Sequence, residues 1–422
     1  MSENQTPYVA RSEDISAIHN LWNQAIEGNP RAVRLQAPFG GGRRALVGQF
    51  MREAAVQRDD AVLWRVNCLD QENGVQWLVR MYGSLVATLG QDALRKGRAE
   101  MILNSQLPSQ PKRVQTWYQQ FIETLKEAKT DTQTGQVQLR MPQDNPLIGL
   151  VEVVSALARR TPICLELQNP QLVNSLTLAS FVEALLHEAK ESNSKLMVIL
   201  FDEAESDITK SLYPMPLLDF YNRNADHTEV LSLDPWGANE TKAFLDSKSL
   251  TSDAEAIARI CNGRPGFIAE LIEILEEEGR LEEDLSSATM ASLTPSTVDA
   301  DELEAPESSK DEENQRSHAT ANDAMRVAHL ASLLGTAFPS GLVADMGAFE
   351  RESVDDLIDA QSDLYAEVQF SKEMGSWIYR FNRGCWREGI IELHSDEESM
   401  ALAQRVGVFM ERYLVPLSLI HI

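Results

Sequence analysis

Ala32-Val33-Arg34-Leu35-Gln36-Ala37-Pro38-Phe39-Gly40-Gly41-Gly42-Arg43-Arg44 is the stretch on which the fold turns. Its first six residues read as a short apolar strand. Three glycines follow, and then a helical pattern runs from Arg44 to about Val56. Strand, glycine turn and helix is a geometry that cradles phosphate. Glycines let the backbone come close, N–H groups and the helix N-terminus face the anion, and a lysine reaches the terminal phosphates. Against the pattern GxxxxGK[ST], only the second glycine is present, at Gly42. Ala37 stands for the first glycine, Arg43 for the lysine and Arg44 for the magnesium-binding hydroxyl.

Outward from this turn, four more apolar runs read as strands: 61–66, 162–167, 196–201 and 229–233. Helical stretches separate them, notably 172–189. Apolar strands spaced by helices predict an α/β fold, a five-stranded parallel sheet with helices on both faces, over residues 1–235. Residues 69–160 are too long for one crossover and read as a helical insertion, with helices near 74–89, 113–128 and 147–160 and a short strand at 137–141. Residues 236–280 are helical throughout, with Asn239 and either Ser252 or Asp253 as candidate caps. Residues 281–322 read as an acidic flexible linker. Residues 323–422 predict three helices (323–334, 340–347, 352–360) and a hairpin (366–370 with 377–381), the winged-helix pattern. A helix at 396–413 and an apolar tail, Leu414 to Ile422, follow.

Charge sharpens the division. The chain of 422 residues carries 38 Lys+Arg against 64 Asp+Glu, a formal net charge of −26. Residues 276–313 hold −12 of it and residues 323–422 hold −8, leaving −6 for the remainder. The first 235 residues are therefore close to balanced and compatible with a phosphate ligand. A winged helix with 8 basic and 16 acidic residues disfavours DNA as a partner and points to protein partners, through this half and the apolar tail. A homo-oligomer stays open. The polar N-terminus, the absence of a long apolar run and four widely spaced cysteines suggest a cytoplasmic protein with no membrane segment.

Several segments in order resemble the nucleotide-binding core of STAND-type AAA+ P-loop ATPases. Tyr8-Val9-Ala10-Arg11-Ser12-Glu13-Asp14 is similar to that family's FVGRExE motif, which lies against the adenine. Glu229 to Glu240 resembles its last strand and the turn into a helical lid. Asn262-Gly263-Arg264-Pro265 resembles its GNP lid motif, with Arg264 in place of Asn, and Ala331 to Phe338 with Tyr379-Arg380-Phe381 resembles the winged helix that follows. The resemblance implies ATP or ADP as ligand. Its cofactor-binding residues would be Arg11, Gly40, Gly41, Gly42, Arg43, Arg44 and Pro265.

Hydrolysis in such a core needs an Asp for magnesium and a Glu to activate water at the tip of the third strand. Phe201-Asp202-Glu203 looks suitable locally, but taking 196–201 as the third strand leaves no fifth strand before the lid. Taking 162–167 as the third supplies all five, and Leu167 to Leu176 resembles the run that follows the family's acidic pair. Glu166 then replaces the magnesium Asp as the one weak metal candidate, and Asp202 occupies the fourth-strand tip, where a phosphate sensor belongs. The lysine, the hydroxyl, the acidic pair and the sensor depart together, so little or no hydrolysis is expected. The first reading is a catalytically degenerate signalling switch or scaffold, with nucleotide held unhydrolysed or with an empty site. The alternatives are a divergent ATPase using Asp202 and Glu203, and, least favoured, a winged-helix transcription regulator.

Overall fold

The computed structural model describes residues 11–68, 74–127, 145–170, 175–202, 215–224, 228–294, 312–335, 337–371, 375–395 and 401–402. The chain divides into two compact units, Met1–Asp234 and Pro235–Ile422.

The first unit is a five-stranded, all-parallel sheet in the order β2-β3-β4-β1-β5, a P-loop-like α/β fold. Its strands are β1 (Arg31–Gln36), β2 (Val62–Asn67), β3 (Ile163–Gln168), β4 (Leu196–Asp202) and β5 (Thr228–Ser232). The run at 162–167 is thus the third strand and the run at 196–201 the fourth. β1 lies between β4 and β5, with Leu35 level with Phe201 on one side and Leu231 on the other. Helices α1 (Ser12–Ile26) and α2 (Arg43–Gln57) belong to one face of the sheet. On the other face, α3 (Gly74–Gly90), α4 (Ala93–Gln106), α5 (Lys112–Glu127), α6 (Pro146–Ala158), α7 (Ser175–Glu191) and α8 (Met215–Arg223) share one buried cluster with the strands.

Strand alternation sorts the core. Met197, Ile199 and Phe201 pack with Trp22, Phe50 and Val47 on the α1/α2 face. Leu196, Val198 and Leu200 pack with Trp64, Trp77 and Phe181 on the other. Successive strand side chains point to opposite faces, so a strand covered on both sides is apolar throughout. The interior of β4 is such a strand, every residue of it buried.

Among the described residues the insertion contains four α-helices, where at least three were expected. The additional one, α4, carries Arg95, Lys96, Gly97 and Arg98 in its first half, which masks its apolar stripe of Ala99, Ile102 and Leu103. Asp92 caps it, its carboxylate accepting the Leu94 N–H at 2.9 Å. The expected strand at 137–141 lies outside the described residues.

The second unit begins with α9 (Ala238–Ser247), α10 (Ala254–Ile260) and α11 (Pro265–Glu277). Asp253 caps α10, accepting from the N–H groups of Glu255 and Ala256 at 3.0 and 3.1 Å. Asn239 is not a cap: α9 starts one residue earlier, and Glu240 reaches back to the Gly237 N–H at 2.9 Å.

The segment read as an acidic linker differs from that reading at both described ends. Residues 281–294 include a short helix, α12 (Met290–Leu293), with Thr289 accepting the Ser292 N–H. The next helix, α13, spans Glu312–Leu334 and so starts eleven residues before the expected one. Its first turns are polar and acidic, and polarity hid them, because sequence periodicity reports only helices with an apolar stripe.

Beyond it stand β6 (Ala337–Pro339), α14 (Ser340–Gly347), α15 (Arg351–Asp359), β7 (Tyr365–Ser371), β8 (Ser376–Phe381) and α16 (Gly384–Glu392). β6, β8 and β7 form a three-stranded antiparallel sheet in that order. Together with α13 to α15 it encloses a core of Val327, Phe338, Val354, Tyr365, Tyr379 and Phe381, a winged-helix arrangement. Of the expected helix at 396–413 and the tail after it, only Ala401 and Leu402 are described, and both are helical. No described helix is long and apolar enough to cross a membrane.

Candidate functional site

The glycine turn joins β1 to α2. Gly40 and Gly42 have φ of +80° and +91°, a region that costs an L side chain about 1–2 kcal/mol. Gly41 is required for a different reason. A Cβ there would stand 2.7 Å from the Ala37 Cβ and 2.8 Å from the Pro38 carbonyl oxygen. The turn closes on itself: the Gly41 N–H donates to the Pro38 carbonyl at 2.9 Å. That donor is therefore spent inside the loop, whereas a phosphate cradle needs its N–H groups turned toward the anion.

Arg11 clasps this turn from outside. Its guanidinium donates to the Gly41 carbonyl at 3.3 Å and to the Asp234 carbonyl at 2.7 Å, and it pairs with Asp14 at 3.2 Å. The side chain is 6% exposed, and the backbone is left-handed with φ +87°. A non-glycine residue held there stores strain that surrounding contacts must offset. Arg11 thus ties the start of α1, the glycine turn and the exit of β5 together.

The two arginines that open α2 diverge. Arg43 is buried, and its guanidinium donates to the main-chain carbonyl of Asp202 at the end of β4. The cation at the lysine position of the pattern is thereby committed to protein backbone. Arg44 is exposed and acts on Glu166 through its charge.

The two acidic candidates lie on opposite faces of the sheet. Glu166, in β3, shares the α1/α2 face with Cys164. It is 1% exposed, pairs with Arg65 at 2.8 Å and accepts from the Gln168 amide at 2.6 Å. Burial raises its pKa, and Arg65, Gln168 and Arg44 only partly offset this. The sign for stability follows: the folded state holds the proton more tightly than the unfolded one. The stabilisation from protonation is complete below the ordinary value of 4.5 and is lost as pH rises through the raised one. Glu166→Gln is expected to match or exceed the wild type in stability at neutral pH. It should also remove part of the wild type's gain in stability toward pH 4.5; urea unfolding across that window, variant against wild type, measures the difference.

Asp202 takes the other face, with Leu200 and Val198. Its side chain is fully buried and ion-paired with Arg34. Arg34 in turn lies over the Tyr221 ring, 4.2 Å from its centroid. Burial, with the Asp202 carboxylate adding to it, holds the Tyr221 phenol far above its usual pKa. Sequence reasoning missed Arg34, although the signal was there. A charge at the centre of a buried strand requires a buried partner, and Asp202 is the residue that supplies it.

The structure therefore brings Arg11, Gly40, Gly41, Gly42 and Arg43 together at one turn, with Arg44 beside them. Pro265 lies in the second unit as the first residue of α11. Glu203 lies outside the described residues. Among the described residues no cluster of three or more His, Cys, Asp or Glu is placed to hold a metal ion.

No family model and no curated protein matches the chain. Solved structures similar to it include three that match over 93% of the chain. Cdc6p from Pyrobaculum aerophilum is 13% identical, with 96% of that chain covered and a TM-score of 0.41. The Drosophila ORC bound to DNA is 11% identical, with 89% covered and a TM-score of 0.41. The Aeropyrum pernix ORC1 protein in complex with DNA is 11% identical, with 95% covered and a TM-score of 0.37. Likeness at this level carries no residue roles. One expectation is corrected nonetheless. DNA was disfavoured on the net charge of residues 323–422, yet two of these three structures contain DNA. A domain's net charge is an average, and DNA contact depends on where individual basic groups stand.

Proposed function

We propose that this chain is an AAA+-like P-loop protein of STAND type that acts through binding rather than turnover, as a nucleotide-responsive switch or scaffold. The observation that carries the reading is the fate of the two carboxylates. A magnesium-dependent hydrolase needs a carboxylate free to hold the metal and another to orient water, both facing the phosphates. Glu166 is buried against Arg65, and Asp202 is buried against Arg34 on the sheet face away from α2. With Arg44 in place of the hydroxyl as well, these residues do not fit magnesium.

Phosphate is a different matter. The N-terminus of α2 carries partial positive charge and the exposed Arg44 adds a full one. These groups would hold the phosphates of ATP or ADP, with Arg11 and the glycine turn fixing the loop's shape. The competing reading, a divergent ATPase using Asp202 and Glu203, is separated by assay. Wild type and Asp202→Asn/Glu203→Gln are expected to release phosphate from MgATP no faster than buffer, with retained nucleotide identified by chromatography after denaturation. Turnover in the wild type that the double substitution abolishes would establish the ATPase instead.

A further inference from the structure

Polar contacts run from α16 and the residue before it to the lid helix α11 and to α12, all within the second unit. The carboxylate of Glu270 on α11 accepts the Cys385 N–H at 2.8 Å, so a lid side chain caps a helix of the winged-helix region. Arg383, just before α16, donates to Glu273 at 2.6 Å and to both oxygens of Glu277 at 3.0 and 3.2 Å. Glu270, Glu273 and Glu277 fall on one stripe of α11, at helical spacing. Arg264, at the start of α11, pairs with Glu388 at 3.1 Å, both side chains being about one-fifth exposed. Glu392, at the end of α16, accepts the Ala291 N–H at 3.2 Å.

The same helix is fastened on its other side. Arg387 donates to the Ser332 carbonyl on α13 at 2.6 Å. The His394 and His329 rings stack 3.5 Å apart. Ile390 is buried in the winged-helix core.

We infer that α16 is a latch that makes the helical lid and the winged helix move as one body. An isolated exposed ion pair contributes little, because side-chain ordering offsets the Coulomb gain. Here the pairs form a network. Arg383 engages two carboxylates at once, and Glu270 faces the positive end of a helix as well as its N–H donor. Arg264 stands in place of the Asn of the lid motif, and its guanidinium is engaged by Glu388 on the winged-helix side. What the lid motif registers is passed directly to α16.

The test is a distance measurement on the full chain. All four native cysteines are buried, so spin labels can be directed to Lys242→Cys on α9 and Glu352→Cys on α15, both exposed. Pulsed electron resonance should give a single narrow distance distribution in this background. Adding Arg383→Ala and Glu388→Gln should add a second, longer-distance population, with circular dichroism showing the fold retained. Strong salt, which screens the network without any substitution, should broaden the distribution in the same direction. A broad distribution in the labelled parent would overturn the latch. So would a narrow one that neither the substitutions nor salt disturb.

Discussion

Replacing Arg34 by Met is expected to cost about 3–5 kcal/mol of stability, because it removes the cation ion-paired with the fully buried Asp202 carboxylate. The carboxylate is fully buried and cannot relax into water. The size of the loss reflects desolvation rather than the strength of the pair. The double variant Arg34→Met/Asp202→Leu should therefore recover most of the loss, since replacing both charges by apolar groups removes the buried charge along with its ion-pair partner. Urea unfolding followed through the first unit's transition measures both. A small cost for the single variant, with no recovery in the double, would mean that Asp202 is not a structural charge and is available for other work.

Gly389→Leu is the second large effect, expected to cost about 3 kcal/mol, the upper part of the usual range for overpacking. A Cβ at Gly389 would stand 1.9 Å from the Thr294 hydroxyl and 3.0 Å from the Met290 carbonyl oxygen. α16 and α12 approach at this glycine, so a larger side chain must push them apart and strain the contacts on either side of it. Gly97→Ala in α4 is the matched comparison. Nothing lies within 4 Å of a Cβ placed there, and the change should stabilise by about 1 kcal/mol from helix propensity alone. Opposite signs from two helical glycines would show that contact, and not backbone freedom, governs Gly389.

The strands were legible because the interior of the sheet is apolar on both faces, and such runs survive any register. Choosing between 162–167 and 196–201 as third strand needed only a count of strands. The roles of the two carboxylates were not legible by counting, although alternation along β4 contains the answer. Phe201 belongs with the α2 face, so Asp202 must turn away from it. The glycine turn was visible as a motif, but its closure was not. The Arg11 clasp and the return of Arg43 to the β4 carbonyl depend on side chains and main chain far apart in sequence, and the local Gly41 N–H bond to Pro38 is a matter of turn geometry that the motif does not state. Polarity concealed the rest. α4 and the first turns of α13 lack the contrast between an apolar stripe and a polar face that periodicity detects, and residues 281–294 were read by composition although a cap and a glycine contact order them.

We propose that Arg11 and Arg43 at this P-loop-like turn serve the fold and that the turn does not perform hydrolysis. A single-turnover experiment, with protein in excess over γ-labelled ATP and magnesium present, tests it without interference from slow product release. The label is predicted to remain in ATP at the rate seen in buffer. Exponential release of labelled phosphate that rises with protein concentration and disappears in Arg43→Ala would contradict the claim.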